Sequence, residues 1–359
     1  MNNDTIRILD LGSVSPLRSQ TVYHAVAYNL TEEAPDTIIL VSPDKPYVCI
    51  GRHQNLEQEV DMAYCQQMGL PVYRREVGGG AVYLDDGQLF VQWVFKKENL
   101  PQKLEERFRV YIQPILETYQ ELGIKAYLRP VNDIHVDGKK IGGTGAAQIG
   151  LAEVLVGSFM FTFDKQTMAR VLKVSSEKMR DKIYESLEQY MVTMADLMDP
   201  VADRALVKRL YLEKCQSVLK RTTSHGSWTE ADERKALEID AWFQDREWLY
   251  QKSGLAEPGI KIHQDVRVVE SAFKAPGGLI RVVARIRENR IDDIVLSGDF
   301  TMLPVHALTA VEESLKGLEC EPDSLMRSIE AVYHQMKVQS PGLEPEHFTQ
   351  AIFQARSTI

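Results

Sequence analysis

Apolar and polar residues interleave in TIRILDL near the start of the chain, and this pattern predicts a strand. A helical stretch from about Ser19 to Asn29 separates it from a second apolar run, DTIILVSP. The pattern continues that run through YVCIGRHQN until Gly51 and Arg52 end it. QEVDMAYCQQMG predicts a short helix stopped at Gly69 by a glycine C-cap. LPVYRRE leads into three consecutive glycines, and AVYLDDGQLFVQWVF predicts paired strands around Asp85, Asp86 and Gly87. In LEERFRVYIQPILETYQELG, Phe108, Ile112, Ile115, Tyr119 and Leu122 recur near helical spacing and predict a core-facing stripe. Pro114 inside it implies a kink or a later helix start. NDIHVDGKKIGG predicts a strand pair with Asp137-Gly138 at its tip, and EVLVGSFMFTFD a further strand.

Beyond Asp164 the period turns helical through KQTMARVLK, SSEKMRDKIYESLEQY and DRALVKRLYLEKCQSVLKR. TTSHGSWTEADE is polar and aperiodic, and a helix is expected over EADERKALEIDAWFQ. From about Gly259 come three alternating segments, KIHQDVRVVESAF, GLIRVVARIREN and IDDIVLSGDF, then helical segments through VEESLKG and LMRSIEAVYHQM. A run of strands followed by helices predicts a separate α+β unit. The expected division is therefore 1–250 and 251–359, which a length of 359 residues accommodates.

Composition narrows the function classes. At 44% hydrophobic and 26% charged, the chain is expected to fold around a packed core. A net charge of −9 argues against general binding to nucleic acid or to an anionic membrane, which calls for a basic footprint. Cys49, Cys65, Cys215 and Cys320 lie far apart without Cys-x-x-Cys spacing, and MNNDTIRILDLG has no apolar leader core. No apolar run approaches the roughly 20 residues of a membrane span. Buried free thiols in a reducing cytoplasm are the expectation. The histidines do not repeat at helical spacing, so no metal site is expected.

Candidate chemistry gathers at two glycine-rich stretches. Without side chains, the backbone N–H groups of Gly78, Gly79 and Gly80 can form a small anion nest. Arg74 and Arg75 beside them offer forked donors to a phosphate or carboxylate. A glycine-rich turn with solvated arginines is the alternative. The spacing is neither a Walker A loop nor a dinucleotide fingerprint. The second stretch is NDIHVDGKKIGGTGAAQIG, in which Lys139 and Lys140 precede Gly142 and Gly143. Strand alternation puts the two lysines on opposite faces, so one is expected to be solvated while the other can do charge work. A shared anion site is the reading that uses both stretches.

RREVGGGAVYLDD, NDIHVDGKKIGGTG and IGRHQN together resemble the lipoate–protein ligase A family. The resemblance implies an α/β (α+β) catalytic fold shared with biotin ligases and octanoyltransferases, with a mixed, largely antiparallel sheet flanked by helices. It implies ATP, Mg2+ and lipoate, or a similar medium-chain acid, joined as an acyl-adenylate. The acyl group then passes to a lysine of a lipoyl carrier: a glycine-cleavage carrier, an E2 lipoyl domain or a pathway-specific protein. By the match Lys140 is the essential lysine, followed by Ile141, Gly142 and Gly143. Arg75 and the backbone of Gly80, Ala81, Val82 and Tyr83 match positions lining nucleotide and acyl group, with Val77 and Val82 able to wall an acyl tunnel. Asn132 and Asp133 match a pair on the adenine and metal side; a turn-capping Asn-Asp is the alternative. Residues 173–190, with Lys178, Arg180 and Lys182, match a lid over the adenylate.

GGLIRVVARIRENRIDDIVLSGDFTMLP resembles the accessory domain of the same ligases, with EWLYQKS as its lead-in. The chain departs from the family at Glu76 and Val77, where serines or Arg-Thr are common, at Val131 in place of Arg, and at Val156-Gly157 in place of His-Gly. Octanoyl transfer on the same fold is the enzymatic alternative, but no cysteine stands between Ala126 and Gly150 to serve it. A non-catalytic binder of acylated carriers is the other.

Overall fold

The computed structural model describes residues 5–251, 255 and 266–356, and its contacts divide the chain into two units. The first comprises Met1–Ile50, Val60–Val77 and Ala81–Leu249; the second comprises Gly51–Glu59, Gly78–Gly80 and Tyr250–Ile359. Two short excursions, around Gly51 and at the triple glycine, thus leave the first unit and return to it. Part of the expected first strand of the C-terminal unit, residues 261–265, and Lys252-Ser253 of its lead-in lie outside the described residues.

The first unit carries strands β1 (Thr5–Val14), β2 (Thr37–Pro43), β3 (Tyr47–Ile50), β4 (Val72–Arg74), β5 (Val82–Leu84) and β6 (Gln88–Lys96). After these come β7 (Tyr127–Arg129), β8 (Asp133–Val136), β9 (Lys139–Ile149), β10 (Ala152–Met160) and β11 (Thr222–His225). Eight of them form a mixed sheet in the order β11-β1-β2-β6-β10-β9-β8-β7, and β4-β3-β5 form a small second sheet. Helices α1 (Pro16–Tyr28), α2 (Leu56–Glu59), α3 (Met62–Gln67), α4 (Leu104–Glu121) and α5 (Lys165–Val171) come first in the chain. They are followed by α6 (Glu177–Tyr190), α7 (Met194–Leu197), α8 (Arg204–Leu219), α9 (Glu230–Phe243) and α10 (Arg246–Tyr250).

Local chemistry sets several of these boundaries. Ser15 caps α1 ahead of Pro16, and a reciprocal Thr229–Asp232 capping box starts α9. Asp137 and Gly138 both have positive φ, 48° and 80°, as the tight turn between β8 and β9 requires. On one face of the sheet Trp93 is fully buried against Tyr111 of α4, and its Nε1 donates to Tyr211 Oη of α8 at 2.8 Å.

Four expectations are corrected. The YVCI run does not continue β2 but forms β3 in the small sheet. Val82–Leu84 and Gln88–Lys96 do not pair with each other: β5 pairs with β3, and β6 with β2 and β10. The Asp85–Gly87 turn is drawn instead to the end of β10, where Phe161 N and Thr162 N donate to the Gly87 carbonyl at 2.9 and 3.2 Å. The helix over QEVDMAYCQQMG is broken into α2 and α3. TTSH, polar throughout, is an edge strand paired in parallel with β1; backbone pairing at an edge needs no apolar side chains. By contrast α4 runs unbroken through Pro114. Fully burying Phe108, Tyr111, Ile112, Ile115 and Tyr119 gains roughly 1.5–3 kcal/mol per side chain, which outweighs the ~3 kcal/mol cost of an internal proline.

In the second unit β12 (Val266–Ala275), β13 (Gly278–Arg287) and β14 (Arg290–Gly298) form an antiparallel meander. Helices α11 (Ala307–Leu315), α12 (Pro322–Met336) and α13 (Pro345–Arg356) share its core through Leu308, Ile329 and Phe348. No helix among the described residues is long and apolar enough to cross a membrane.

Candidate active site

Lys140 lies at the start of β9 opposite His135, and Ile141 is the extra residue of a bulge, because Gly142 already pairs with Ile134. Lys139, at the hairpin tip, is exposed and Lys140 half-buried, as the alternation predicts. Lys140 Nζ sits 2.7 Å from Asp133 Oδ1. A methyl group on Gly143 would come within 3.1 Å of that Nζ, so the ammonium lies over bare backbone. Gly142 is less tightly enclosed, its missing side chain directed at the Ser158 carbonyl 3.4 Å away. The Lys140 carbonyl accepts from Val192 N at 2.9 Å, which ties β9 to the chain leaving α6.

The other site candidates are placed unequally. Asn132 accepts from Thr144 N and Oγ1 at 3.0 and 2.9 Å through its carbonyl, and its amide nitrogen donates to the Thr144 carbonyl. Its side chain thus clasps β9. Arg74 is fully buried, and its Nε and Nη2 donate to the carbonyls of Trp248 and Leu249. A guanidinium with no exposed surface and donors spent on main chain is a structural tie, so only Arg75 of the pair keeps accessible surface. Arg75 is partly exposed and donates through Nη1 to the Cys49 carbonyl at 3.1 Å. Glu76, the acidic departure beside the glycines, turns inward, with Oε2 3.1 Å from Nε2 of the buried His24.

Gly78, Gly79 and Gly80 belong to the second unit, where Gly79 N donates to the Phe300 carbonyl at 3.2 Å. A Cβ on Gly78 would stand 2.5 Å from that carbonyl oxygen, and Gly79 adopts φ +97°. A Cβ on Gly51 would stand 1.8 Å from the Gly79 carbonyl oxygen, and Gly298 N donates to the His53 carbonyl. IGRHQN, the triple glycine and GDF therefore pack on one another. Gly51, Gly78 and Gly298 are required by close backbone approach and Gly79 by its positive φ, a use the anion-nest expectation did not include. Ala81 and Val82 are half-buried, and Tyr83 is buried with its N–H donating to Met168 Sδ. Lys178 is exposed on α6, whereas Arg180 is buried and its Nη1 donates to the Ala169 and Arg170 carbonyls at the end of α5. Residues 177–190 are a regular helix capped by Ser176 and anchored by Arg180. A capping arginine carries no sequence signature, so the sequence alone does not distinguish Arg180 from the exposed cations of α6.

Burial pushes the His135 imidazole, across the hairpin from Lys140, below its usual value; Arg129 and Lys140 add to the effect. Its Nδ1 bonds the Gly138 carbonyl, and its buried Nε2 has no hydrogen-bond partner. A lowered folded value means that the unfolded chain binds the proton more readily. This residue's share of stability is therefore full well above about pH 6.5 and is lost as pH falls below it. Thermal melts on either side of that pH should show a larger fall for the wild type than for His135→Asn; equal falls would remove the assignment.

All four thiols are buried, and burial raises each one, that of Cys65 to about 11. Among the described residues no His, Cys, Asp and Glu side chains converge as a metal cluster. Asp133 beside Lys140 fits a Mg2+ ion that arrives with nucleotide phosphates and takes a single protein carboxylate.

Residues 15–216 match the lipoyl protein ligase A/B catalytic domain family, and residues 269–352 the bacterial lipoate protein ligase C-terminus. Lipoate-protein ligase LplJ of Bacillus subtilis is 26% identical over 304 residues, covering 82% of this chain and 85% of that protein. Octanoyltransferase LipM of Kyrpidia tusciae is 26% identical over 275 residues, covering 69% and 99% respectively. A solved structure of a bipartite lipoate protein ligase from Thermoplasma acidophilum, described with its E2 lipoyl domain, superposes with a TM-score of 0.63. Its identity is 26%, and the match covers 68% of this chain and 96% of that one.

Proposed function

Because the chain belongs to the lipoyl protein ligase A/B family and carries the bacterial ligase C-terminus, we propose that it activates lipoate with ATP and transfers the lipoyl group to a lysine of a lipoyl carrier domain. The observation that carries this reading is the Lys140 ammonium, oriented by Asp133 and lying over Gly143 on a half-buried strand.

The acid's carboxylate oxygen attacks the α-phosphorus of ATP, an acyl–phosphate bond forms and pyrophosphate leaves. Two anions meet in this step, so a fixed cation between them lowers the barrier. Lys140 fills that role and afterwards polarises the carbonyl of the mixed anhydride. The acceptor amine then attacks that carbonyl, AMP departs and the amine gives up its proton. Arg75 contributes positive charge on the phosphate side, and Lys178 projects from the lid helix. When bound, Mg2+ supplies charge neutralisation on the phosphates, with Asp133 as its protein ligand. Carriers of the E2 lipoyl or glycine-cleavage type are the acceptors this chemistry suits, and four buried, unpaired thiols suit a reducing cytoplasm.

Octanoyl transfer is the second reading, suggested by the LipM likeness. Transfer through a cysteine needs an accessible thiolate, and burial disfavours that form at all four cysteines. Intact mass of an E2 lipoyl domain incubated with the protein, ATP, magnesium and lipoate tests the proposal. A lipoyl increment that requires ATP supports it, whereas ATP-independent octanoyl transfer supports the rival. Arg75→Ala is expected to raise the KM for ATP roughly tenfold, equivalent to about 1.4 kcal/mol of lost binding. Unchanged nucleotide dependence would remove Arg75 from the site.

A further inference from the structure

His24 lies on α1 with no exposed surface, so its neighbours settle its charge state. Aromatic rings flank it: the centroids of Tyr23 and Phe243 are 4.1 and 4.7 Å from that of the imidazole. Its Nδ1 is 2.8 Å from the Gln20 carbonyl, one turn back along the helix. A carbonyl only accepts, so Nδ1 carries a hydrogen. Nε2 then faces Glu76 Oε2 at 3.1 Å, and both atoms are buried with no other hydrogen-bond partner. Without a proton between them, a ring lone pair would stand against a desolvated carboxylate, which is costly. One proton therefore belongs to this contact. As imidazolium with carboxylate or imidazole with carboxylic acid, the pair carries no net charge.

That neutrality matters because Glu76 directly follows Arg75. Arg75 is held against β3, its N–H donating to the Ile50 carbonyl at 3.0 Å and its Nη1 to the Cys49 carbonyl at 3.1 Å, whereas Glu76 reaches toward α1. The two side chains still act on a common neighbour. Burial pushes the Tyr23 phenol well above its usual value, and on top of that Arg75 pulls it down while Glu76 pushes it up. An uncompensated carboxylate in this neighbourhood would offset the positive charge that Arg75 offers to phosphates.

We propose that His24 is a positioning residue for nucleotide binding: by sharing a proton with Glu76 it cancels the acid's charge and leaves the Arg75 guanidinium available to the phosphates. The inference rests on the proposed reaction, with Arg75 on its phosphate side. Titration of the purified protein with ATP and magnesium reads affinity directly, and lipoate-dependent ATP–pyrophosphate exchange separates KM from kcat. His24→Gln keeps a donor for Glu76 but has no ring to share a proton, so the carboxylate stays ionised. ATP affinity should fall roughly tenfold, with KM for ATP rising alike and kcat within about threefold of wild type. Adding Glu76→Gln to His24→Gln removes that charge and should restore affinity to within about twofold. A merely structural role predicts no such rescue, because the double variant departs further from the native packing. Glu76→Gln alone should also stay within about twofold, and it carries the test if His24→Gln fails to fold. A tenfold gain in affinity from Glu76→Gln would show an unbalanced acid in the wild type and overturn the proposal. So would unchanged affinity in folded His24→Gln, or a double variant no better than that single one. The titration needs no acyl substrate, so absence of exchange with ATP binding intact would defeat the ligase reading alone, whereas absence of ATP binding would defeat both.

Discussion

Lys140→Ala should abolish acyl-adenylate formation, lowering its rate by at least a hundredfold, while the protein stays folded. Removal of one preorganised charge-stabilising donor has effects of about this size, and Lys140 is asked to serve two anions at once. The folded state should hardly notice the change. The Lys140–Asp133 pair is 38% and 33% exposed at its side chains, and ion pairs with that much solvent access contribute about 0–1 kcal/mol. Lys139→Ala, at the exposed position, should leave the rate within about twofold of wild type. Direct chromatography of lipoyl-adenylate, alongside melting curves, separates chemistry from stability. A similar loss at both lysines would undo the assignment of roles within the pair.

Gly51→Ala should destabilise the protein far more than a methyl group added at an open glycine. Its Cβ would lie 1.8 Å from the Gly79 carbonyl oxygen, which is main chain and cannot rotate away. The loop around Gly51 or the triple glycine must shift, and with it the Gly79–Phe300 and Gly298–His53 hydrogen bonds. A cost of about 3 kcal/mol or more is expected. Gly123→Ala provides the contrast: φ is +83° but nothing lies within 4 Å, so only the left-handed backbone penalty of about 1–2 kcal/mol applies. Chemical denaturation of the two variants should place Gly51→Ala well below Gly123→Ala. Equal midpoints would mean that the Gly51–Gly79 approach relaxes freely.

These residues show where the sequence was readable. The Asp137-Gly138 turn, the greater exposure of Lys139 than of Lys140, and the alternating strands of the C-terminal unit follow from local periodicity and turn chemistry, which a sequence displays directly. Pairing partners do not. Val82–Leu84 and Gln88–Lys96 look like a hairpin because Asp85, Asp86 and Gly87 suit a turn, yet Gly87 is claimed by backbone donors more than seventy residues later in the chain. TTSH shows no strand pattern because an edge strand can be built from polar residues. PEHFTQAIFQAR carries helical spacing at Phe348, Ala351, Ile352 and Ala355, all buried in α13.

At the site, Lys140 and Asp133 emerged from motif order and stand together in the structure. Arg74 and Asn132 matched the same motifs but hold the scaffold, because residue type alone does not say where a guanidinium or an amide points.

Acyl-adenylate chemistry without any carrier present is the central claim, and exchange of label between pyrophosphate and ATP reads it most directly. Lipoate-dependent exchange by the wild-type protein, lost on substitution of Lys140, is the predicted result. No exchange under those conditions, together with movement of octanoyl groups between carrier proteins in the absence of ATP, would contradict the account.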